Sequence, residues 1–510
     1  MSIGRTYAVA ILGVGGTLVE IEADLSNGLP GLSLIGLPDR ALGEAGDRVR
    51  SALVNAGLSL PPRKLTVNLS PAALPKQGSG FDLGIAMACL AATGVIAPGV
   101  IDDYVHVGEL ALDGRVRPTA GVLPAVIAAR QAGRTRVVVP WANLEEAQLV
   151  PGMTIVGVSS VRDAAIMHGA ELEPVVVHPL MLPLLEPELQ GPEVDLADIV
   201  GNDDAIDALI VAAAGGHHLF MLGPPGAGKT MLAARLPGIL PDLSVEDALD
   251  VASMRSLSGQ GLTGVLPTRP PFEAPHHSAT AAALVGGGTG IIKPGAAARA
   301  SHGVLFLDET PEFSSVVLDA LRQPLESGTL TIARASGSAQ FPARFQLIMA
   351  ANPCPCGQFG VRDGECTCTP MTRRRYLGRL SGPLMDRIDI QLRVERVSSI
   401  ALSCAEGSYR SSEQARGHVL EARSRALERL RQTPWRTNAA VPGSFLRSGA
   451  LRLSHNTTKA LDRALERGQF TMRGYDRVLR VAWTVADTEG ADRPTAEHIA
   501  RAVYLRKGIS

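Results

Sequence analysis

The sequence predicts an α/β protein of more than one domain, organised around a nucleotide-binding core. Three observations lead there. GPPGAGKT, Gly223–Thr230, is a glycine-rich loop set between an apolar strand and the start of a helix. Two apolar runs with polar or acidic ends follow it, GVLFLDE (Gly303–Glu309) and FQLIMAANP (Phe345–Pro353), as buried parallel strands read. And 510 residues exceed what one ordinary core organises, so two or three domains are expected.

Residues 1–175 alternate β-rich and helical stretches. KLTVNLS (Lys64–Ser70) and TRVVVP (Thr135–Pro140) predict strands; Phe81–Gly94 and Gly121–Gly133 predict helices that stop at glycine. The N-terminus, MSIGRTYAVAILGVGG, reads as a first strand and not as a signal peptide. No apolar run is long and clean enough to span a bilayer, so no membrane partner and a cytoplasmic location are expected. Prolines recurring from Pro174 to Pro192 forbid a regular helix and make 176–196 a linker. The core follows over 197–396. From 397 to 510 the pattern is helical, with Ser411–Gln432 the longest candidate. Net charge is −1, which excludes a generally basic nucleic-acid binder, yet this C-terminal stretch carries 19 Lys/Arg against 11 Asp/Glu. It could face polyanions, or be an arginine-rich solvated helical face.

The core motifs define a site. Gly223, Pro224, Pro225, Gly226, Ala227 and Gly228 form a turn whose backbone N–H groups can face phosphate oxygens. Lys229 would reach the β- and γ-phosphates of ATP, and Thr230 and Asp308 would hold Mg²⁺. Glu309 is placed to polarise an attacking water, and Asn352 to orient water or the γ-phosphate.

Four of the six cysteines lie together in CPCGQFGVRDGECTC. Cys354, Cys356, Cys366 and Cys368 predict a four-thiolate Zn²⁺ site, with a spacing tighter than the usual knuckle. Arg373–Arg375 follow directly and could touch DNA or a neighbouring subunit. Cys89 and Cys404 read as ordinary residues.

The order P-loop, FLDE, AANP, then LMDRIDI (Leu384–Ile390) resembles an AAA+ ATPase, and more narrowly the magnesium-chelatase-like ComM/YifB family. EAPHHSAT (Glu273–Thr280), LRQPLESG (Leu321–Gly328), NPCPCG (Asn352–Gly357) and RGYDRVLRVAWTVAD (Arg473–Asp487) extend the resemblance over the chain. The resemblance implies an AAA+ core with a helical C-terminal lid, a homo-hexameric ring, Arg387 as an arginine finger acting in trans, and Arg473 as a second sensor. It implies that the insert Ala279–Ala296, read as having an exposed Gly286–Gly288 tip, and a hairpin over Gly328–Phe345 point into the ring channel. Arg334 and Arg344 would be the hairpin's phosphate contacts. The function implied is an ATP-driven motor on single-stranded or branched DNA, a branch-migration helicase. An adaptor or assembly switch binding a protein partner is the alternative, with a metal-chelatase motor behind it.

PKQGSGFDLGIAMA (Pro75–Ala88) and Val107–Ala129 resemble the Lon protease domain, which has a ribosomal-protein-S5-like fold and a Ser–Lys dyad. The dyad is missing: Phe81 and Asp82 stand near the serine's place, Ser79 lies in the preceding turn, and the lysine position falls at Leu123. An unactivated serine is a poor nucleophile, so a protease-like scaffold that binds a partner or organises the ring is expected.

Overall fold

A computed structural model describes residues 3–36, 44–72, 74, 76, 78–181, 194–262, 264–288, 292–334, 337–360, 364–396 and 410–508. Most of the predicted linker, Cys404 and the hairpin tip lie outside the described residues.

Strict alternation builds the first sheet. In β2 (Gly15–Ser26) Val19, Ile21 and Ala23 are buried while their neighbours are less so, the period of a strand with unlike faces. β2 pairs antiparallel with β1 (Gly4–Leu12) and with β4 (Lys64–Ser70). β3 (Gly31–Ile35) runs parallel to β4 at the edge. On the other side β1 continues through β5 (Tyr104–His106), β8 (Arg136–Pro140) and β9 (Thr154–Val158), all parallel. β6 (Glu109–Leu110) and β7 (Val116–Arg117) form a small separate ladder. The sheet order is β3-β4-β2-β1-β5-β8-β9. Helices Ala45–Asn55, Asp82–Ala92 and Val161–Met167 cover one face; every residue of Asp82–Ala92 is buried, which explains its run of Gly, Ala and Cys. Helix Val122–Gln131 covers the other face.

The second sheet is all parallel, in the order β11-β14-β17-β10-β18. Its inner strands β10 (Leu219–Leu222), β14 (Val304–Leu307) and β17 (Gln346–Ala351) are buried at every position, because helices lie on both faces. β11 (Phe272–Glu273) and β18 (Ile390–Arg393) are the edges. The helical region begins with Ser412–Leu430, 19 residues long and started by a Ser411/Gln414 capping box. It packs with Met472–Thr488 onto helices Asp203–Gly215 and Lys229–Ile239 in one continuous core. No described helix is long and apolar enough to cross a membrane.

One feature differs from the sequence reading, and the predicted hairpin forms with contacts that reading did not include. The Gly286–Gly288 tip is exposed only at Gly288: Gly286–Gly287 (β12) pairs with Lys293–Pro294 (β13), and Gly286 is buried with φ +108°. A Cβ there would fall 2.8 Å from Ile332 Cδ1, so the glycine permits close packing of the insert on the hairpin. The hairpin itself, β15 (Thr329–Arg334) and β16 (Gly337–Pro342), is braced along one side. Leu330, Ala339 and Phe341 are buried, and the β1–β2 turn lies against β16, with Val14 N–H donating to Gln340 O at 3.3 Å. Gly13 (φ +68°) makes this possible, since a Cβ there would sit 2.3 Å from Gln340 O. Arg344 lies at the hairpin's base and Arg334 at the end of β15.

Candidate nucleotide site and cysteine cluster

The ends of β10, β14 and β17 converge on one place. Gly223 leaves β10 so tightly that a Cβ would lie 2.2 Å from Val394 O. Gly226 (φ +77°) and Gly228 (φ +86°) have nothing within 4 Å of their Cβ positions, which leaves the concave side of the loop open. Arg396 Nε donates to Pro225 O at 3.0 Å and Asn202 Nδ2 to Ala227 O at 3.4 Å, fixing the loop from outside. Helix Lys229–Ile239 starts at the loop, so its first N–H groups and dipole face the open side. The loop fits a chain of phosphates.

The side chains are already in register. Lys229 Nζ donates to Gly223 O (2.7 Å), Pro224 O (2.9 Å) and Asn352 Oδ1 (3.2 Å), and burial lowers its pKa. Thr230 Oγ1 donates to Asp308 Oδ2 at 2.7 Å, so the two oxygens predicted to share Mg²⁺ are neighbours. Glu309 has φ +47°, an uncommon conformation for a non-glycine residue and one often found where strain serves a site. Thr310 Oγ1 ties Leu307 O (2.8 Å) to Ala350 O (3.0 Å) and so joins the ends of β14 and β17. His277, within a motif quoted from the sequence but not singled out, lies 3.4 Å from Glu309 Oε2 through Nδ1.

Arg387 and Arg473 are elsewhere. Arg387 is 11% exposed; it pairs with Glu326, donates to Pro383 O at 2.5 Å, and keeps a buried Nε without a partner. Arg473 is exposed and 3.9 Å from Asp386. Neither contacts the P-loop of its own chain among the described residues. Ile388 and Asp389, just after Arg387, are held by the core and the helical region: Asp389 takes His217 Nδ1 at 3.1 Å and pairs with Arg477, and Arg506 reaches Ile388 O. His217 Nε2 meets Thr484 Oγ1 at 2.7 Å, and Asn438 joins Thr484 (3.0 Å) to Asp487 (2.8 Å), itself paired with Arg429. Much of the C-terminal arginine excess is therefore used inside the chain. Lys459, Arg463 and Arg467, spaced i, i+4, i+8 on and just after helix His455–Glu466, are exposed.

The four clustered cysteines come together, all Sγ atoms within 4.8 Å of one another. Three separations are 3.3 Å (Cys354–Cys356), 3.7 Å (Cys354–Cys366) and 3.7 Å (Cys356–Cys366). A tetrahedron with bonds of about 2.3 Å has edges of about 3.8 Å, so the donor set and its spacing suit Zn²⁺. Cys89 is buried in the N-terminal core, far from chemistry, and burial pushes its thiol up to about 12.

In the N-terminal domain Ser79 Oγ donates to Glu109, and Asp82, fully buried, accepts from Arg48 Nε and Nη2, both at 2.9 Å. Burial raises Asp82 to about 6. Leu123 is buried, its N–H directed at Ser256 Oγ (3.4 Å) on helix Val245–Leu257 of the core. No base reaches Ser79 from that position.

Comparison with known proteins accords with this geometry. Residues 195–402 match the magnesium chelatase, subunit ChlI family; 21–143 match subunit ChlI of Mg-chelatase, and 409–506 match the ChlI C-terminal family. The chain is 48% identical to the uncharacterized protein Rv2897c of Mycobacterium tuberculosis over 509 residues, 99% of each chain. It is 41% identical to competence protein ComM of Haemophilus influenzae over 508 residues, 99% of this chain and 98% of that one. It is 38% identical to the uncharacterized protein YifB of Escherichia coli over 506 residues, 99% and 97% of the two chains. A Lon protease of Salinispora arenicola is 30% identical over 172 residues, 32% of this chain and 21% of that one. A Lon-like N-terminal part, an AAA+ P-loop core and a helical C-terminal region thus follow one another, and the chain belongs to the magnesium-chelatase-like AAA+ family of ComM and YifB.

Proposed function

We infer that the protein is an ATP-hydrolysing homo-hexameric ring motor that acts on single-stranded or branched DNA, as a branch-migration helicase in transformation or recombination. The observation that carries this is the convergence of Lys229, Thr230, Asp308, Glu309 and Asn352 at three adjacent strand ends, in a chain similar over its whole length to a competence protein.

The chemistry follows from the contacts. Phosphate oxygens entering the open loop would take the Lys229 donors now held by Gly223 O and Pro224 O. Thr230 and Asp308 would hold Mg²⁺, which would supply neutralisation of the phosphate charge. Glu309 accepts a proton from the attacking water, and Asn352 orients the γ-phosphate from the neighbouring strand end. Arg387 and Arg473 act on a neighbouring subunit's nucleotide, which makes hydrolysis depend on assembly. The Cys354, Cys356, Cys366 and Cys368 thiolates hold a structural Zn²⁺. Translocation uses the hairpin, with Arg334 following the backbone; aromatic residues are only 4% of the chain, which favours phosphate tracking over base stacking.

The test is steady-state ATP hydrolysis by the full chain alone and with single-stranded, duplex and branched DNA, with Glu309→Gln as control. Stimulation by single-stranded or branched DNA, absent from the variant, is expected. Robust hydrolysis indifferent to every DNA overturns the motor. That outcome favours a second reading, an ATP-set switch with a protein partner, which the docking of the Lon-like domain on the core at Leu123 and Gly13 supports.

A further inference from the structure

The cysteine loop touches the nucleotide loop directly. Gly357 (φ +76°), next to Cys356, packs on Pro225 so closely that a Cβ would lie 2.5 Å from Pro225 Cδ and 2.6 Å from Cγ. Two residues before Cys354 stands Asn352, whose Oδ1 takes a hydrogen bond from Lys229 Nζ at 3.2 Å. The second half of the cluster leads through the Thr369 cap into helix Pro370–Leu377. On that helix Tyr376 is buried, with its hydroxyl beside the Asn352 backbone. Arg373 stacks 3.8 Å over Phe359 and closes the loop from outside. The cluster therefore joins two stretches of chain. One carries Gly357 against the P-loop, and the other carries Tyr376 against Asn352.

We propose that metal in the four-cysteine site sets the affinity of the P-loop for nucleotide, by locking Gly357 on Pro225 and Asn352 beside Lys229. Four Zn–S bonds fix two chain segments that thiols alone hold only by weak S–H contacts. With the metal bound, the loop and Asn352 keep the shape that receives phosphate. Without it, the segments separate, and nucleotide binding must then supply the ordering. A coupling of this kind changes affinity by about 5- to 150-fold. The proposal rests on the nucleotide and zinc assignments above and adds the link between them.

The experiment measures zinc content and equilibrium binding of a fluorescent ATP analogue, with no turnover involved. It compares the full-length protein prepared without chelators, the same protein after chelation and after zinc return, and two variants. Cys366→Ser/Cys368→Ser should lose zinc and bind the analogue at least about fivefold more weakly. Gly357→Ala should keep its zinc and still bind more weakly, because its methyl collides with Pro225. This second variant separates the link from any failure of the double variant to fold. A zinc-free protein that binds the analogue as tightly as the loaded one overturns the proposal and leaves the nucleotide site standing. Native protein that neither contains nor takes up zinc overturns the metal assignment and the proposal with it. Native, zinc-loaded protein that binds no analogue overturns the nucleotide reading itself.

Discussion

A one-to-one mixture of Arg387→Ala and Glu309→Gln chains should hydrolyse ATP although neither variant does so alone. On the proposed action in trans, the Arg387→Ala chain keeps Glu309 but offers no finger to its neighbour. The Glu309→Gln chain offers the finger but has no general base. Loss of a general base costs about 10²- to 10⁴-fold, and loss of a finger about 10³- to 10⁵-fold. Each pure variant is then nearly silent. In a random closed assembly about one interface in four joins an Arg387→Ala site to a Glu309→Gln neighbour, so about a quarter of wild-type turnover returns. The contact with Glu326 does not prevent this. Glu326 is 63% exposed, so its pair with Arg387 is worth at most about 1 kcal/mol. A finger on a γ-phosphate is worth about 4–7 kcal/mol at 1.36 kcal/mol per decade. Leaving Glu326 also removes Arg387 Nε from a buried place where it has no partner. The assay is phosphate release at fixed total protein across mixing ratios. A mixture no more active than the average of its components would refute action in trans.

Three other perturbations follow from the contacts. Glu146 is buried where the Lon-like domain meets helix Val245–Leu257, with Asn143 Nδ2 at 2.7 Å and Ser256 as neighbours, and burial raises it from 4.5 to about 7. The folded state holds this proton more tightly than the unfolded one, so stability falls as pH rises from 4.5 to about 7; Glu146→Gln should abolish that slope and stabilise the protein above pH 7 by up to about 3 kcal/mol, read by denaturant melts at several pH values. Lys459→Ala/Arg463→Ala/Arg467→Ala should weaken single-stranded DNA binding and reduce the magnitude of the log K against log salt slope by about 2, while an unchanged slope would place the DNA elsewhere. Gly13→Val, whose Cβ would lie 2.3 Å from Gln340 O at φ +68°, should undock the β1–β2 turn and speed hydrogen exchange over Thr329–Pro342; unchanged protection there would show that the turn does not brace the hairpin.

The parts of the site that lie along the chain were legible in the sequence. GPPGAGKT announces its loop because only glycine suits the φ values at Gly226 and Gly228, and β14 and β17 announce themselves because a parallel sheet buries both faces. Contacts between distant segments leave no period to read. His277 on Glu309, Glu326 on Arg387 and Gly357 on Pro225 were invisible for that reason. Gly286 was misread because glycine serves two purposes: it marks turns, and it admits close neighbours such as Ile332. The C-terminal arginines showed a charge excess, but sequence could not separate Arg429 and Arg477, spent on buried carboxylates, from Lys459, Arg463 and Arg467, which remain at the surface.

The backbone junction of Gly13 with Gln340 makes the Lon-like domain a passenger on the hairpin. A strand advances about 3.4 Å per residue, and the Val14–Gln340 bond cannot stretch by that much and survive. Any stroke of β16 one residue long either drags the whole N-terminal sheet along or releases it. If the sheet is dragged, a reporter dye placed on it would register such a stroke as displacement, and cargo tethered to it would be felt by the hairpin as drag.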